Sequence, residues 1–390
     1  MQIEVLSKEK CCGCASCMNT CPVDAIRMSE DQFGFTYPQV DNDKCLDCGL
    51  CYQKCVFTKS NYGQNSNLNI FVGNCVDKNV LMKSSSGGIF SAVAHEVIKS
   101  NGIVYGAAWI KPRRVEHVGI DSIDDLDKIR GSKYVQSEIG LSFREVKNHL
   151  TKGRIVCFVG TPCQISGLKS FLGKHYENLL TIDIVCHGVP NQRMLNDDLN
   201  YMAKKYKISP QFIKFRDKKY GWGTKGSISD GKKSIKYNAV NSPYYYFFLK
   251  ANLYRPSCYN CRFPAEGRQG DLTIGDYWNV NSFDEKTFGN TKYGISCILI
   301  NSDKGKEWFD RAANNLQISP SSFESISRRN GQLVESSKPT ADYDELLDDY
   351  QRNGYNAILL KFNKFKLERM FLWIKSLVPY KIKRFISSIH

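Results

Sequence analysis

Between residues 70 and 186, short apolar runs alternate with segments whose apolar residues recur every three or four positions. The apolar runs predict four strands, at residues 70–75, 103–109, 154–160 and 179–186. The periodic segments predict helices at residues 89–98, 142–150 and 161–173. Strand–helix–strand order with apolar strands is typical of an α/β layer.

The pattern changes on either side of this layer. Residues 206–340 are rich in Gly, Tyr and Trp and contain strand-like runs at 272–274 and 295–300, which predicts a more irregular, β-rich part. Residues 341–390 end in a basic tail whose apolar positions predict amphipathic helices. Residues 59–69 are polar and typical of a linker to the first 58 residues.

Eight of the 16 cysteines lie in two runs with the same C-x2-C-x2-C-x3-C spacing, which is typical of a bacterial dicluster ferredoxin. Three thiolates of each run bind one cluster and the fourth binds the other. The predicted ligand sets are Cys11, Cys14, Cys17 with Cys55, and Cys45, Cys48, Cys51 with Cys21. Two zinc sites are the alternative, but zinc ribbons usually pair separated C-x2-C knuckles. A disulfide framework is disfavoured in a chain that resembles a large intracellular enzyme.

Four later cysteines accompany other signals of chemistry. Cys163 begins a predicted helix, where the N-terminus lowers the pKa of a thiol, and a buried structural cysteine is the alternative. Cys186 ends a predicted strand, and Cys258 and Cys261 form a lone C-x2-C. That pair alone leaves a zinc knuckle, a redox dithiol and half a cluster site open. Together the four cysteines equal the number that a third cubane needs.

Two turns suggest an anionic ligand. Residues 84–88 form a Ser- and Gly-rich turn before a predicted helix, where backbone N–H groups favour a phosphate; an ordinary helix cap is the alternative. Residues 130–134 form a basic turn that suits a phosphate or a flavin ring, or simply a solvated loop. Asp271 and Asp276 are loop caps or site residues. No Ser/His/Asp set or paired-carboxylate site is evident, so hydrolase chemistry has no support and the catalytic residues stay unknown.

The net charge of +15 is uneven, because the residues from 355 onward supply nearly half of the excess. The charge therefore does not indicate a nucleic-acid partner, and no nucleic-acid motif accompanies it. No signal peptide is evident, and no apolar run approaches the roughly 18 residues of a membrane span. We expect a cytoplasmic protein whose tail contacts the inner face of the membrane. The alternative is that the tail packs on the protein's own core or on a second subunit of a homo-oligomer.

The ordered motifs, which include Gly-Thr-Pro-Cys-Gln at 160–164, Cys-His-Gly-Val-Pro at 186–190 and Asp-Leu-Thr-Ile-Gly-Asp-Tyr-Trp at 271–278, resemble the beta-subunit family of coenzyme F-420 (deazaflavin) hydrogenases and dehydrogenases. The resemblance runs from Cys11 to about Asn301. It implies a third 4Fe–4S cluster on Cys163, Cys186, Cys258 and Cys261. It also implies FAD, with the phosphates near Ser86, Gly87 and Gly88, and the flavin near Arg130, Lys133, Tyr134, Gln136, Thr161, Pro162 and Gln164.

The expected fold class is α+β. Residues 1–58 form a ferredoxin-like dicluster 4Fe–4S domain, 59–69 a linker, 70–205 the first part of an α/β FAD-binding domain, 206–340 its β-rich part, and 341–390 the helical tail. The expected function is a flavin and iron–sulfur oxidoreductase that exchanges electrons with a ferredoxin or other redox protein and acts on a small molecule. The resemblance suggests deazaflavin or a step in a cell-surface polysaccharide pathway. The alternative is a non-catalytic electron-relay subunit.

Overall fold

The computed structural model describes residues 3, 6–58, 69–111, 113–289 and 291–377. The predicted linker, apart from Asn69, and the tail beyond residue 377 lie outside the described residues. The helices are α1 (Ser16–Thr20), α2 (Leu50–Gln53), α3 (Lys78–Lys83), α4 (Ile89–Lys99), α5 (Leu126–Ile129), α6 (Ser142–Thr151), α7 (Pro162–Leu172), α8 (Gln192–Tyr206), α9 (Pro243–Leu249), α10 (Pro256–Tyr259), α11 (Ser282–Phe288), α12 (Asp303–Ala312), α13 (Phe323–Ser327), α14 (Tyr343–Asn353), α15 (Tyr355–Lys364) and α16 (Lys366–Leu377). The strands are β1 (Ile26–Glu30), β2 (Thr36–Val40), β3 (Asn69–Cys75), β4 (Ile103–Lys111), β5 (Arg114–Ile120), β6 (Val156–Gly160), β7 (Leu179–Ile184), β8 (Phe212–Lys214), β9 (Gly226–Ser229), β10 (Ser234–Tyr237), β11 (Leu272–Asp276), β12 (Ser296–Ile300) and β13 (Leu316–Pro320).

An eight-stranded mixed sheet forms the centre of the fold, in the order β13-β3-β12-β11-β7-β6-β4-β5. Strands β4, β6, β7 and β11 run parallel to one another. Strands β5, β12 and β13 pair antiparallel with their neighbours. The α+β class is therefore as predicted. The parts predicted at 70–205 and 206–340 share this sheet, because β11, β12 and β13 join strands from the first part.

Alternate strand residues point to opposite sides of the sheet, which gives it two apolar faces. Helices cover both of them. On β6, Val156 and Phe158 join the core under α6 and α7. Cys157 faces the other way, into the core under α4 and α12. The α7 face also receives Ala15 of the cysteine-rich N-terminal region. This packing sets α7, and Cys163 in its first turn, against the first cysteine run.

The N-terminal region consists of α1, α2 and the β1–β2 hairpin, and it docks on α6 and α7 mainly through its own carbonyl groups. Ser170 donates to the Lys54 carbonyl at 2.7 Å. Arg144 donates to the Cys21 carbonyl at 2.7 Å and to that of Asn19 at 2.8 Å. The region is therefore a docked module, with the ends of both cysteine runs held by the body of the protein.

The C-terminal helices belong to a second, aromatic-rich core. Side chains of α8, α9, α14, α15 and the small β8–β10 sheet meet there, including Tyr245, Phe247, Tyr350 and Phe362. The Tyr350 hydroxyl donates to Asp197 of α8 at 2.6 Å. Residues 341–377 are helical, as their periodicity predicts. Within the described part of the chain, no helix is both long and apolar enough to cross a bilayer.

Candidate metal centres

The two cysteine runs surround two separate spaces. One of about 400 Å³ is lined by residues that include Cys45, Cys48, Cys51 and Cys21. The other, of about 320 Å³, is lined by residues that include Cys11, Cys14, Cys17 and Cys55. Each space therefore brings together one of the ligand sets that the spacing predicts.

The two loops have the same backbone conformation at equivalent positions. Gly13 and Ala15 of the first run have φ of 66° and 59°, and Asp47 and Gly49 of the second have 45° and 70°. Left-handed residues between cysteines turn the chain back on itself, so that successive thiols face the same space. The spacing in the sequence thus corresponds to a repeated loop geometry, which local sequence can encode.

The thiols fit a cluster in number and in kind. Among the described residues, no three His, Cys, Asp or Glu side chains converge closely enough to hold a single metal ion. A cubane needs four thiolates around its separate corners. Apolar Ile26, Val40 and Leu50 line the space that contains Cys45, Cys48 and Cys51, which suits the burial of a cluster.

The third predicted set lies at the carboxyl edge of the central sheet. Cys163 follows β6 and Cys186 follows β7, and these strands are parallel neighbours, so their ends meet. Burial is the main cause of the raised pKa of the Cys186 thiol, and the charges of Cys258, Cys163 and Cys261 raise it further. The same electrostatic proximity links Cys258 with Cys163 and Cys261. The structure therefore gathers these four thiols in one place, although their sequence positions are far apart.

Cys12 lies between the Cys11 set and the third set. Its thiol lies close to those of both Cys14 and Cys163, and this proximity raises its pKa well above the usual value. A Cβ at Gly167 of α7 would lie only 3.0 Å from the Cys14 sulfur, so helix and cluster loop are in close contact. The sequence offered no spacing signal for Cys12. Its position becomes meaningful only when the N-terminal module docks on α7.

Arg255 is the second residue between these sets that the sequence analysis missed. Its side chain is fully buried, at 0% exposure. Its guanidinium donates to the Cys11 carbonyl at 2.7 Å and the Thr36 carbonyl at 2.8 Å, and it lies 3.8 Å from the Cys11 sulfur. Within the described residues, no carboxylate lies within ion-pair distance of it. Its positive charge therefore faces the thiolates of Cys11 and Cys258.

Several residues expected near a flavin also contact the cysteine region. Gln136 donates to the Cys12 carbonyl at 3.2 Å and accepts from Arg255 at 3.1 Å. Thr161 and Gln164 form a capping box at the start of α7, which Pro162 opens. The Thr161 hydroxyl lies 3.1 Å from the Cys163 sulfur. These contacts support the cysteine sites and leave the flavin role of the four residues as a prediction.

The turn containing Ser86, Gly87 and Gly88 uses its polar groups within the protein. The Gly87 N–H donates to the Ser296 hydroxyl at 2.9 Å, and its carbonyl accepts from Cys75. The Ser86 hydroxyl donates to the Ile295 carbonyl at 3.0 Å. Close packing on β3 and β12 is a sufficient reason for the glycine at position 87, and a phosphate-binding role of this turn stays a prediction.

We expect Gly87→Ala to destabilise the fold whether or not a cofactor binds. A Cβ at this position would lie 2.4 Å from the Gly73 carbonyl oxygen and 2.8 Å from the Ser296 nitrogen. Overpacking against backbone costs about 1–3 kcal/mol, and thermal unfolding would measure the loss. Gly331→Ala is the matched control, because a Cβ there meets nothing within 4 Å. Equal melting temperatures for both variants would contradict this account.

A different group of residues offers positive charge near this turn. Lys218 donates to the carbonyls of Leu81, Ser86 and Tyr293. Burial, followed by the charge of Arg216, lowers the pKa of Lys218 to about 7. Desolvation also lowers the pKa of Lys133 to about 7. The Lys133 ammonium donates to the Arg130 carbonyl at 2.8 Å. In the described part of the chain, neither lysine has a carboxylate within ion-pair distance.

The other predicted residues surround this region. Arg130 donates to Ser91 of α4 at 3.0 Å, and the Ser132 N–H donates to Ser85 at 2.7 Å, so the two turns are in contact. Tyr134 packs on Phe248 with ring centroids 4.5 Å apart.

The two aspartates singled out in the sequence, Asp271 and Asp276, have structural partners. Asp271 accepts from Thr181 and Ser302, and Asp276 accepts from Arg216 and Trp222.

Two regions of the chain match known families. Residues 10–58 match the 4Fe–4S dicluster domain, and residues 153–325 match the C-terminal family of the coenzyme F420 hydrogenase/dehydrogenase beta chain. These matches confirm the predicted dicluster region and the predicted family resemblance.

Individual relatives are more distant. The chain is 24% identical over 323 residues to the coenzyme F420-dependent sulfite reductase of Methanocaldococcus jannaschii, covering 78% of this chain and 46% of that protein. It is 45% identical over 49 residues to a 7Fe ferredoxin of Hydrogenibacillus schlegelii, covering 12% of this chain and 56% of the ferredoxin. The chain thus spans about half the length of each of these relatives. A chain of the F420-reducing NiFe hydrogenase complex of Methanosarcina barkeri aligns with a TM-score of 0.47 at 17% identity, covering 78% of this chain and 94% of that one.

Proposed function

We propose that this chain, which combines a 4Fe–4S dicluster domain with the C-terminal region of the coenzyme F420 hydrogenase/dehydrogenase beta-subunit family, is an oxidoreductase with three clusters and FAD. Cys163, Cys186, Cys258 and Cys261 would hold a third cluster, and bound clusters would supply one-electron exchange between the dicluster domain and the rest of the protein. The observation that carries the proposal is the electrostatic proximity of Cys163 to Cys12 and Cys14, because it makes the Cys11 set and the third set neighbours.

Solvent exposure distinguishes the two N-terminal cysteine sets. Cys48 is exposed and Cys45 and Cys51 are partly exposed, whereas Cys11, Cys14 and Cys17 are buried. The Cys45 set is therefore the natural entry point for electrons from a ferredoxin or another redox protein. The Cys11 set lies between this entry point and the third set. Exposed Leu46 beside the entry cluster offers an apolar contact to the electron donor.

FAD fits the charge of the region around Lys133 and Lys218 better than it fits the Gly87 turn. Two ammonium groups, buried at Lys218 and partly buried at Lys133, that bond to carbonyls favour an anionic group such as a diphosphate. Bound FAD would supply exchange between one-electron and two-electron chemistry. The protein's contribution is to hold these charges beside the two turns, and Lys218 also lies near the pair that Arg216 forms with Asp276 at 2.9 Å.

Lys218→Met is expected to lower the FAD content of purified protein severalfold, because it removes a buried positive charge. Lys219→Met is the matched control, since Lys219 is the next residue, is more exposed and bonds to Ser234. Chromatography of the released cofactor measures occupancy, and iron content and melting temperature check the fold. Equal FAD content in both variants, with equal stability, would place the cofactor elsewhere.

The experiment that tests the whole proposal is anaerobic reconstitution followed by iron, sulfide and flavin analysis. We expect about twelve irons and one FAD per chain. Reduced protein is then mixed with candidate acceptors, including coenzyme F420, while cluster and flavin absorbance are followed. Turnover with a small molecule supports an oxidoreductase, whereas electron transfer only between redox proteins supports the relay alternative. Two of the similar proteins carry names that mention F420, and the polysaccharide pathway stays a prediction from the resemblance.

A further inference from the structure

Helix α16 is anchored to the protein by one face. Glu368 accepts from the Tyr246 hydroxyl at 2.7 Å and pairs with Lys250 at 2.5 Å. The Arg369 guanidinium lies 3.6 Å from the centre of the Phe362 ring. Leu372 packs against the aromatic core. These three residues lie on one side of the helix, so its inward face is already occupied by the protein itself.

The opposite face of α16 is apolar and exposed. Its residues recur every three or four positions, which places them on a single stripe: Leu367, Met370, Phe371, Ile374 and Leu377. Leu367 is 70% exposed, Phe371 66% and Leu377 62%. The tail therefore packs on the protein's own core through α15 and the inward face of α16. The outer stripe needs a different explanation, because isolated exposed apolar residues are common but contiguous patches are not.

The charges around this stripe indicate its partner. Exposed Lys364 and Lys366 flank the stripe, and Trp373, half-exposed at its edge, is a residue type that favours membrane interfaces. The sequence continues with Lys375, Lys381, Lys383 and Arg384, with Glu368 the one acidic residue between positions 355 and 390. The Glu368 carboxylate pairs with Lys250 and Tyr246 within the protein.

We propose that the outer stripe of α16 binds the surface of an anionic lipid bilayer, with the helix lying in the plane of the interface. An apolar face with flanking lysines is the combination that interfacial helices use. Basic residues near an anionic leaflet add electrostatic attraction, and the lysine stems can extend toward the headgroups. Because the inward face stays bound to α9, lipid binding would bring the whole redox protein to the membrane. This inference is independent of the identity of the substrate.

The test compares two triple variants of the full-length holoprotein. Leu367→Ser, Phe371→Ser and Ile374→Ser together remove the stripe. Ile123→Ser, Phe212→Ser and Val334→Ser together remove three apolar side chains that are exposed elsewhere. Both proteins are sedimented with vesicles of phosphatidylglycerol and phosphatidylcholine, and with vesicles of phosphatidylcholine alone. Iron content and melting temperature confirm that each variant is folded.

We expect wild type and the control variant to bind the anionic vesicles, and the stripe variant to bind at least about tenfold more weakly. Binding should also weaken on neutral vesicles and at high salt. Equal binding by all three proteins would overturn the proposal. So would a wild type that ignores vesicles but is dimeric in analytical ultracentrifugation, with a monomeric stripe variant. That result would assign the stripe to a second copy of the chain.

Discussion

Cys258→Ala is expected to remove about four of about twelve irons, while the two clusters of the N-terminal module survive. The substitution deletes one donor atom from the third set, and a cubane with three thiolates in a partly open site is readily lost. The N-terminal sets keep all their ligands, because Cys258 lines neither of their spaces. Iron and sulfide analysis after anaerobic reconstitution measures the loss. Electron paramagnetic resonance of the reduced protein shows which signals remain.

Cys157→Ala is the matched control for that experiment. Cys157 is buried in β6, near Cys163 in sequence, but its side chain points into the opposite core. We expect full iron content in this variant and a modest loss of stability from the smaller side chain. Retention of all iron in Cys258→Ala would show that these four cysteines do not hold a cluster. Loss of every cluster would show that the third set is essential for the fold of the module.

Arg255→Leu is expected to lower the reduction potentials of the clusters on the Cys11 and Cys163 sets. A reduced cluster is more negative than an oxidised one, so a buried positive charge beside it favours the reduced form. The guanidinium bonds to the Cys11 carbonyl, and the Cys258 thiolate is among the charges that stabilise its positive form. Removing one member of a buried, mutually compensated charge group also costs about 3–5 kcal/mol of folding stability. Redox titration followed by electron paramagnetic resonance measures the potentials.

Arg255→Lys separates the electrostatic role from a structural one. Lysine keeps the charge but cannot reproduce the contacts of the guanidinium with Cys11, Thr36 and Gln136. We expect its potentials to lie near those of wild type, with stability reduced as in the leucine variant. If Arg255→Leu lowers the melting temperature but leaves the reduction potentials unchanged, Arg255 only holds the Cys11 loop in place.

Local signals predicted the elements that depend on local sequence. The apolar runs predicted β3, β4, β6 and β7, and the helical period predicted α4, α6 and α7. The β1–β2 hairpin was missed because its strands are only partly buried, and the β8–β10 sheet because its strands have only 3 or 4 residues. The joining of β3 to β12 and β13 depends on pairing across more than two hundred positions, for which no local pattern exists.

The same limit separates the predicted from the unpredicted site residues. Cysteine spacing indicates the local loop that holds a cluster, so both N-terminal ligand sets could be proposed from the sequence. Arg255 and Lys218 acquire their roles from segments that are distant in sequence, such as the Cys11 loop and Ser86. Gly87 shows the reverse difficulty. A glycine that admits a phosphate and one that admits a neighbouring strand look the same in a sequence, since both positions require only the absence of a Cβ.

The way the first cysteine loop is held has a consequence for how the protein matures. Arg255 and Gln136 hold the backbone carbonyls of the Cys11 loop, and Gly167 of α7 crowds Cys14. We therefore expect iron and sulfide to reach this set more readily before the module closes onto the body. The exposed Cys48 loop imposes no such order. If both sets hold clusters, the outer one would be the easier to rebuild in the finished protein after oxygen damage.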